Sequence, residues 1–296
     1  MSDWIAVDWS HTKLRAWAMS GNAPKASAQS DRGTGNLAGI APETALLELI
    51  GNWTGLGDVI ACGDIGARGG WVEAPLAPAP CLPPLSDAVT PATRHPDLRL
   101  RILRGVSQNR PSDVMRGDET RIAGFLRINP KFDGTLCLPG QISRWVQISA
   151  GEIVSFQSFL TGELYTTLSR HSLLGPTVAG DTLAAFDTAA FEEGLEQGRH
   201  HAEKLLARLS GLVAEDQRDG LPPSAARARL SGLLIGAELA GAKPYWLGAE
   251  IAVIASAELG QLYTHALRQQ SAPALAIDRD AATLTGLIAA RDALAL

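Results

Sequence analysis

A carboxylate and two cations fall close together near the start of the chain, in Ile5-Ala-Val-Asp-Trp-Ser-His-Thr-Lys-Leu-Arg-Ala-Trp17. The pattern reads as a strand, a tight polar turn and a second strand, with Asp8 at the end of the first strand. It could place a metal-anchoring carboxylate, backbone N–H groups and the cations Lys13 and Arg15 around a phosphate. Mg2+ keeps several waters and touches only one or two carboxylates, so a lone Asp8 would suffice as its anchor. The same residues also fit an ordinary hairpin with a surface Asp.

Three further stretches could carry chemistry. In Gly117-Asp-Glu-Thr-Arg-Ile-Ala-Gly-Phe125, Asp118 and Glu119 open a helix, whose positive dipole end favours ionised carboxylates. A base for a sugar hydroxyl needs such a group, although acidic residues cap helices without catalytic purpose. Leu136-Cys-Leu-Pro-Gly-Gln-Ile-Ser-Arg-Trp-Val146 repeats the strand–turn–strand pattern, with Gly140 and Ser143 as phosphate donors and Arg144 as a cation. Gly63 to Trp71 is a glycine-rich loop in which Arg68 could pair with a carboxylate and Trp71 could pack on a sugar face. A surface turn with a solvated Arg is the alternative. His200 and His201 lie on a helix without ligand spacing, His11 and His171 have no identifiable Ser or Cys partner, and no GxSxG, HExxH or GxxxxGK[ST] occurs.

These residues need elements to position them. Short strands are expected at 4–9, 12–19 and 25–31, a helix from Pro42 to Trp53, and a strand from Asp58 to Cys62 before the glycine-rich loop. Residues 74–96 read as an ordered, proline-rich irregular loop and 98–103 as a strand. Asp113 to Arg127 runs from loop into helix. A second strand set follows at 134–138, 143–149 and 152–157, so the opening architecture occurs twice. Helices are expected over 186–209, 222–242, 257–270 and 281–295, with short strands at 245–248 and 251–255.

Composition narrows the class. The 296 residues suffice for two ordinary domains, and 46% hydrophobic against 19% charged residues suits a globular protein with a substantial core. A net charge of -5 argues against a nucleic-acid partner. No apolar stretch reaches membrane-spanning length and no signal peptide is visible, so no membrane partner is expected. Cys62, Cys81 and Cys137 form no framework, which points to reduced thiols and the cytoplasm.

Seven ordered blocks together resemble the 2-dehydro-3-deoxygalactonokinase family of the sugar kinase, Hsp70 and actin superfamily. They are Asp8 to Trp17, Gly63 to Glu73, Asp113 to Thr120, Leu138-Pro-Gly140 with Trp145, Phe159 to Leu164, His171 to Leu174 and Leu230 to Ala242. The resemblance implies an α/β chain of two ribonuclease-H-like domains, 1–127 and 128–296, in the actin-like ATPase fold with a central interdomain cleft. The last helix could pack back on the first domain. It implies ATP and Mg2+ as cofactors and phosphorylation of the 6-hydroxyl of 2-dehydro-3-deoxy-D-galactonate. On that match Asp118 is the base, with Glu119 its alternative, and Asp8 anchors Mg2+. Thr12, Lys13, Gly140, Ser143 and Arg144 hold the phosphates, and the segment around Ala255 covers adenosine. Arg15, Arg68, Trp71, Glu73 and Arg116 are the substrate-binding set. A keto-deoxy sugar acid is the expected partner, and a homodimer is left open.

The chain departs from the family in its phosphate loops. It has Asp8-Trp-Ser-His-Thr-Lys13 for Asp-Trp-Gly-Thr-Thr-Asn, Pro139-Gly-Gln-Ile-Ser-Arg-Trp145 for Pro-Gly-Thr-His-Ser-Lys-Trp, Gly63-Asp-Ile-Gly-Ala-Arg68 for Gly-Met-Val-Gly-Ser-Arg, and Ala255 for a Gly. Two other functions therefore stand beside the first. One is a paralogue that binds a sugar acid or nucleotide without transferring phosphate. The other is a kinase for a different keto-deoxy acid or sugar.

Overall fold

The alternation of Trp4, Ala6 and Asp8 with Ile5, Val7 and Trp9 gives the first strand two distinct faces. The computed structural model describes residues 3–296 apart from 52, 54–56 and 180–185. The chain divides into two compact units, one of 1–133, 148–155 and 278–296, the other of 134–147 and 156–277.

The first unit begins with β1 (Trp4–Trp9), β2 (Leu14–Ser20) and β3 (Ala23–Ser30), followed by α1 (Pro42–Ile50) and β4 (Asp58–Gly63). Next come β5 (Leu76–Pro78), β6 (Ala88–Val89), β7 (Arg99–Leu103), β8 (Gly105–Gln108), β9 (Asp113–Met115) and α2 (Asp118–Ile128). One sheet has the order β3-β2-β1-β4-β7-β6, and β5-β8-β9 form a small second sheet. Ile5, Val7 and Trp9 pack with Leu46 and Ile50 of α1 on one face of the large sheet. Trp4, Ala6, Ile60 and Cys62 pack on the other face with Leu287 and Ala290 of the C-terminal helix.

The second unit holds β10 (Gly134–Leu138), most of β11 (Ser143–Ser149) and the second half of β12 (Glu152–Phe159), then α3 (Thr161–His171), α4 (Gly175–Val178) and α5 (Thr188–His200). These are followed by α6 (Leu205–Asp219), α7 (Pro223–Gly241), α8 (Lys243–Trp246), β13 (Ile251–Ala255), α9 (Ala257–Arg268) and β14 (Ala274–Asp278). The chain closes with α10 (Arg279–Ala293), which belongs to the first unit. The second unit's sheet has the order β12-β11-β10-β13-β14. In both large sheets the first strand of the trio pairs in parallel with the strand that returns beside it, β1 with β4 and β10 with β13. The duplication expected from the sequence is therefore a duplication of topology.

Several expectations change. The first compact unit runs to residue 133 and includes the hairpin tip 148–155. Backbone hydrogen bonds between Cys81 and Ile153 tie that tip to the first unit. The expected helix 186–209 breaks at His201, whose φ of -138° leaves the helical region, and a new helix runs on to Asp219. Residues 245–248 are not a strand. Pro244 sits in the first turn of α8, where its missing N–H costs nothing, and the Trp246 indole donates to the Leu239 carbonyl at 2.8 Å. The proline-rich 74–96 contributes β5 and β6. The edge strand β14 carried no periodic signal because it is mostly solvent-facing.

Candidate active site

Register creates the centre of the first unit's polar cluster. In the antiparallel pair β1–β2, Asp8 lies directly opposite Arg15, and in the parallel pair β1–β4 it lies opposite Cys62. Cross-strand partners on one face are close neighbours, so Asp8 and Arg15 form a buried ion pair. The other Arg15 branch reaches Asp280 at the start of α10.

A second cation completes the cluster from α2. Arg121 stands one helical turn after Asp118, so the two share a helix face and pair directly. The same guanidinium reaches Asp8 at 3.1 Å through Nη2 and Thr283 of α10 at 3.3 Å through Nε. Arg121 therefore bridges the two carboxylates expected to act in catalysis. Burial opposes ionisation of Asp8, yet Arg121 and Arg15 together hold its carboxyl below the ordinary carboxylate range. Burial likewise disfavours the Arg121 cation, but Asp8 and Asp118 more than reverse this. The Cys62 thiol is pushed well up by burial and by Asp8, so it stays protonated.

Gly117 brings α2 this close. Its φ of 90° is accessible to glycine at little cost, and a Cβ there would stand 3.1 Å from the Gly63 backbone. Glu119 accepts the Gly117 N–H at 2.7 Å, so it secures the helix start. It is a buried bracing group beside Asp118.

The expected substrate residues fall into two groups. Arg15 is inside the cluster rather than on a substrate-facing surface. Arg68, Trp71 and Glu73 lie on the loop after β4, and Arg116, between β9 and α2, reaches the end of that loop. Arg68 is exposed and lies 3.8 Å from Glu73, Trp71 packs against the core beneath, and Arg116 donates to the Ala74 carbonyl at 2.9 Å. Burial pulls the Arg116 guanidinium down from its usual value, against the pull of Glu119, Glu73 and Asp64.

The two phosphate turns differ. Thr12 and Lys13 are exposed on the β1–β2 turn, and Lys13 pairs with Asp31. That turn is closed by the Ser10 N–H to Lys13 carbonyl bond at 2.9 Å and roofed by Thr34 and Gly35, which bond the Ser10 and His11 carbonyls. In the second unit, Gly140 lies in the turn between β10 and β11. Arg144 is half-buried, and Ala255 is buried at the end of β13. Ser143 departs from its expected role. Its side chain points inward and its hydroxyl bonds the Tyr263 hydroxyl at 2.9 Å in the core.

Asp8 does not fit the expected Mg2+ anchor. Its Oδ2 is engaged by two guanidiniums and its Oδ1 faces Cys62 Sγ at 3.9 Å. No group of three or more His, Cys, Asp or Glu able to hold a metal occurs among the described residues. The glycine turn around Gly140 is half-exposed, and the start of α3 rests on it, with the Glu163 N–H on the Gln141 carbonyl at 2.9 Å. A helix N-terminus beside a glycine turn favours an anion.

Arg121, Asp280 and Thr283 were missed by sequence reasoning. The i, i+3 spacing of Asp118 and Arg121 was a usable signal. Asp280 and Thr283 had none, since they come from the far end of the chain.

The chain is similar to several known proteins. A family model described as 2-keto-3-deoxy-galactonokinase matches residues 8–290. The chain is 35% identical to the Rhizobium meliloti (strain 1021) protein named probable 2-dehydro-3-deoxygalactonokinase DgoK1, over 98% of this chain and 97% of that one. It is 32% identical to the Escherichia coli (strain K12) 2-dehydro-3-deoxygalactonokinase, over 96% of each. A crystal structure of a Sinorhizobium meliloti protein, provisionally assigned the same activity, superposes with a TM-score of 0.89 at 33% identity, covering 98% of this chain and 96% of that one. Component A of the Acidaminococcus fermentans (R)-2-hydroxyglutaryl-CoA dehydratase shares the fold alone, with a TM-score of 0.55 at 11% identity over 99% of this chain and 98% of that one. The chain belongs to the 2-keto-3-deoxy-galactonokinase family.

Proposed function

We propose that this chain transfers a phosphoryl group from ATP to the 6-hydroxyl of 2-dehydro-3-deoxy-D-galactonate. The observation that carries the proposal is the buried Asp8–Arg121–Asp118 bridge in a chain of this family. Phosphoryl transfer through a loose transition state asks mainly for positioning and charge compensation. Asp118 would accept the substrate hydroxyl's hydrogen bond and take its proton as the oxygen attacks. Arg121 fixes the direction in which Asp118 points, and Arg15 and Asp8 fix Arg121. Arg68 and Arg116 would hold the keto-acid carboxylate, with Glu73 and Trp71 on the sugar. The turn at Gly140, the start of α3 and Arg144 would face the phosphates, and the end of β13 at Ala255 the adenosine. Mg2+ would supply further charge compensation. The three free thiols support a reducing compartment, the cytoplasm. Among the described residues no helix is long and apolar enough to cross a membrane.

A coupled ADP-release assay across several 2-dehydro-3-deoxy acids tests the assignment, with fastest turnover expected on the galactonate. Faster turnover of another keto-deoxy acid would move the substrate assignment to that acid. Asp118→Ala should abolish turnover in a folded protein, and full activity in that variant would exclude Asp118 as base. A second reading is favoured by the engagement of Asp118 with Arg121 and of Ser143 with the core: binding without transfer. Calorimetric binding of ATP and keto-acid without ADP release would select it.

A further inference from the structure

Glu238 is the buried charged side chain of the second unit that the reaction leaves unused. It projects from α7 among neutral hydrogen-bond partners. The Trp145 indole donates to Oε1 at 2.8 Å, the Tyr263 hydroxyl donates to Oε2 at 2.8 Å, and the Thr161 hydroxyl also bonds Oε2. Ser143 joins through Tyr263. Burial raises the Glu238 carboxyl above its ordinary range, and these donors offset only part of the shift. A buried carboxyl costs stability unless its geometry is used.

Its partners are the pieces that shape the turn between β10 and β11. Ser143 and Trp145 are alternate residues on the inward face of the strand that leaves the turn. Thr161 is the first residue of α3, and the next residue, Gly162, lies so close that a Cβ would collide with the Gly140 carbonyl. One carboxyl thus holds both the strand that exits the turn and the helix end that rests on it. We propose that Glu238 is a positioning residue for the nucleotide, fixing the turn around Gly140 through Ser143, Trp145, Thr161 and Tyr263; this rests on the reading of that turn as a phosphate site.

The experiment compares Glu238→Gln with the parent chain in steady-state kinetics and in calorimetry with ATP in Mg2+ buffer. The amide presents a donor where the carboxyl offered only acceptors to the surrounding hydroxyls. The KM for ATP is expected to rise about tenfold, the scale of one disrupted hydrogen bond, with a matching loss of calorimetric affinity. The KM for the keto-acid should stay within about twofold, a split that a general loss of structure would not give. Unchanged ATP affinity in the folded variant overturns the proposal, as does an equal rise in both KM values. If Glu238→Gln fails to fold, Tyr263→Phe and Ser143→Ala are read by the same criteria. A parent chain that binds ATP but releases no ADP sinks the kinase reading alone, and the calorimetric comparison still decides the role of Glu238. A parent chain that binds no ATP overturns both.

Discussion

Arg121 pairs with two carboxylates at once, and the lowered Asp8 carboxyl makes acid the probe of the first unit. Asp8 has a folded pKa below its unfolded value of about 3.9, so its pairing contributes stability above that pH. The contribution is lost as pH falls through the folded value. Arg121→Gln removes the larger of the two charges that offset burial, so Asp8 would titrate higher. The midpoint of thermal unfolding, followed from pH 7 to pH 3, should begin to fall at a higher pH in the variant than in the parent chain. The variant should also be less stable at pH 7 by about 3 kcal/mol, the usual cost of orphaning a buried charge. Superimposable pH profiles would refute the coupling. Asp8 and Asp118 could be named from the sequence because carboxylates at a strand end and a helix start are visible there. The i, i+3 spacing pointed to the Arg121–Asp118 pair alone; that the same guanidinium also reaches Asp8 depends on how α2 packs on the sheet, which no local spacing shows.

The packing of α2 on α10 carries this chemistry at the level of elements. Glycine permits close contact in both helices. A Cβ on Gly124 would run into the Ala282 carbonyl, and one on Gly286 into the Thr120 carbonyl. The approach brings Asp280 and Thr283 to Arg15 and Arg121. Gly124→Ala would gain helix propensity but force the helices apart, and overpacking should win by about 1–3 kcal/mol. Lower thermal stability and reduced turnover are expected together, from calorimetric unfolding and the ADP-release assay. A stabilised, fully active Gly124→Ala would show that the two helices can separate without disturbing the cluster. The existence of both helices was legible from their apolar spacing. Their intimacy was not, since a glycine in a helix reads only as a weak point until its neighbour is known.

For the whole molecule, the first unit depends on both ends of the chain. Residues 278–296 contribute Leu287 and Ala290 to the core beneath β1 and β4. Deleting residues 279–296 should therefore strip hydrogen-exchange protection from β1, β2 and α2 while α7 and β10 keep theirs. Equal loss in both units would contradict their independent cores. The sequence by itself determined the strand–turn–strand duplication, the acidic start of α2 and the family, because these are carried by local alternation, turn residues and short ordered motifs. Only the tertiary structure decided that Ser143 faces inward, that Glu238 gathers side chains from β11, α3 and α9, and that Asp8 is enclosed by Arg15 and Arg121. The physical reason is common to all three. A polar side chain's role follows from which partners compensate its burial, and those partners come from strand register and helix packing between residues up to 265 positions apart.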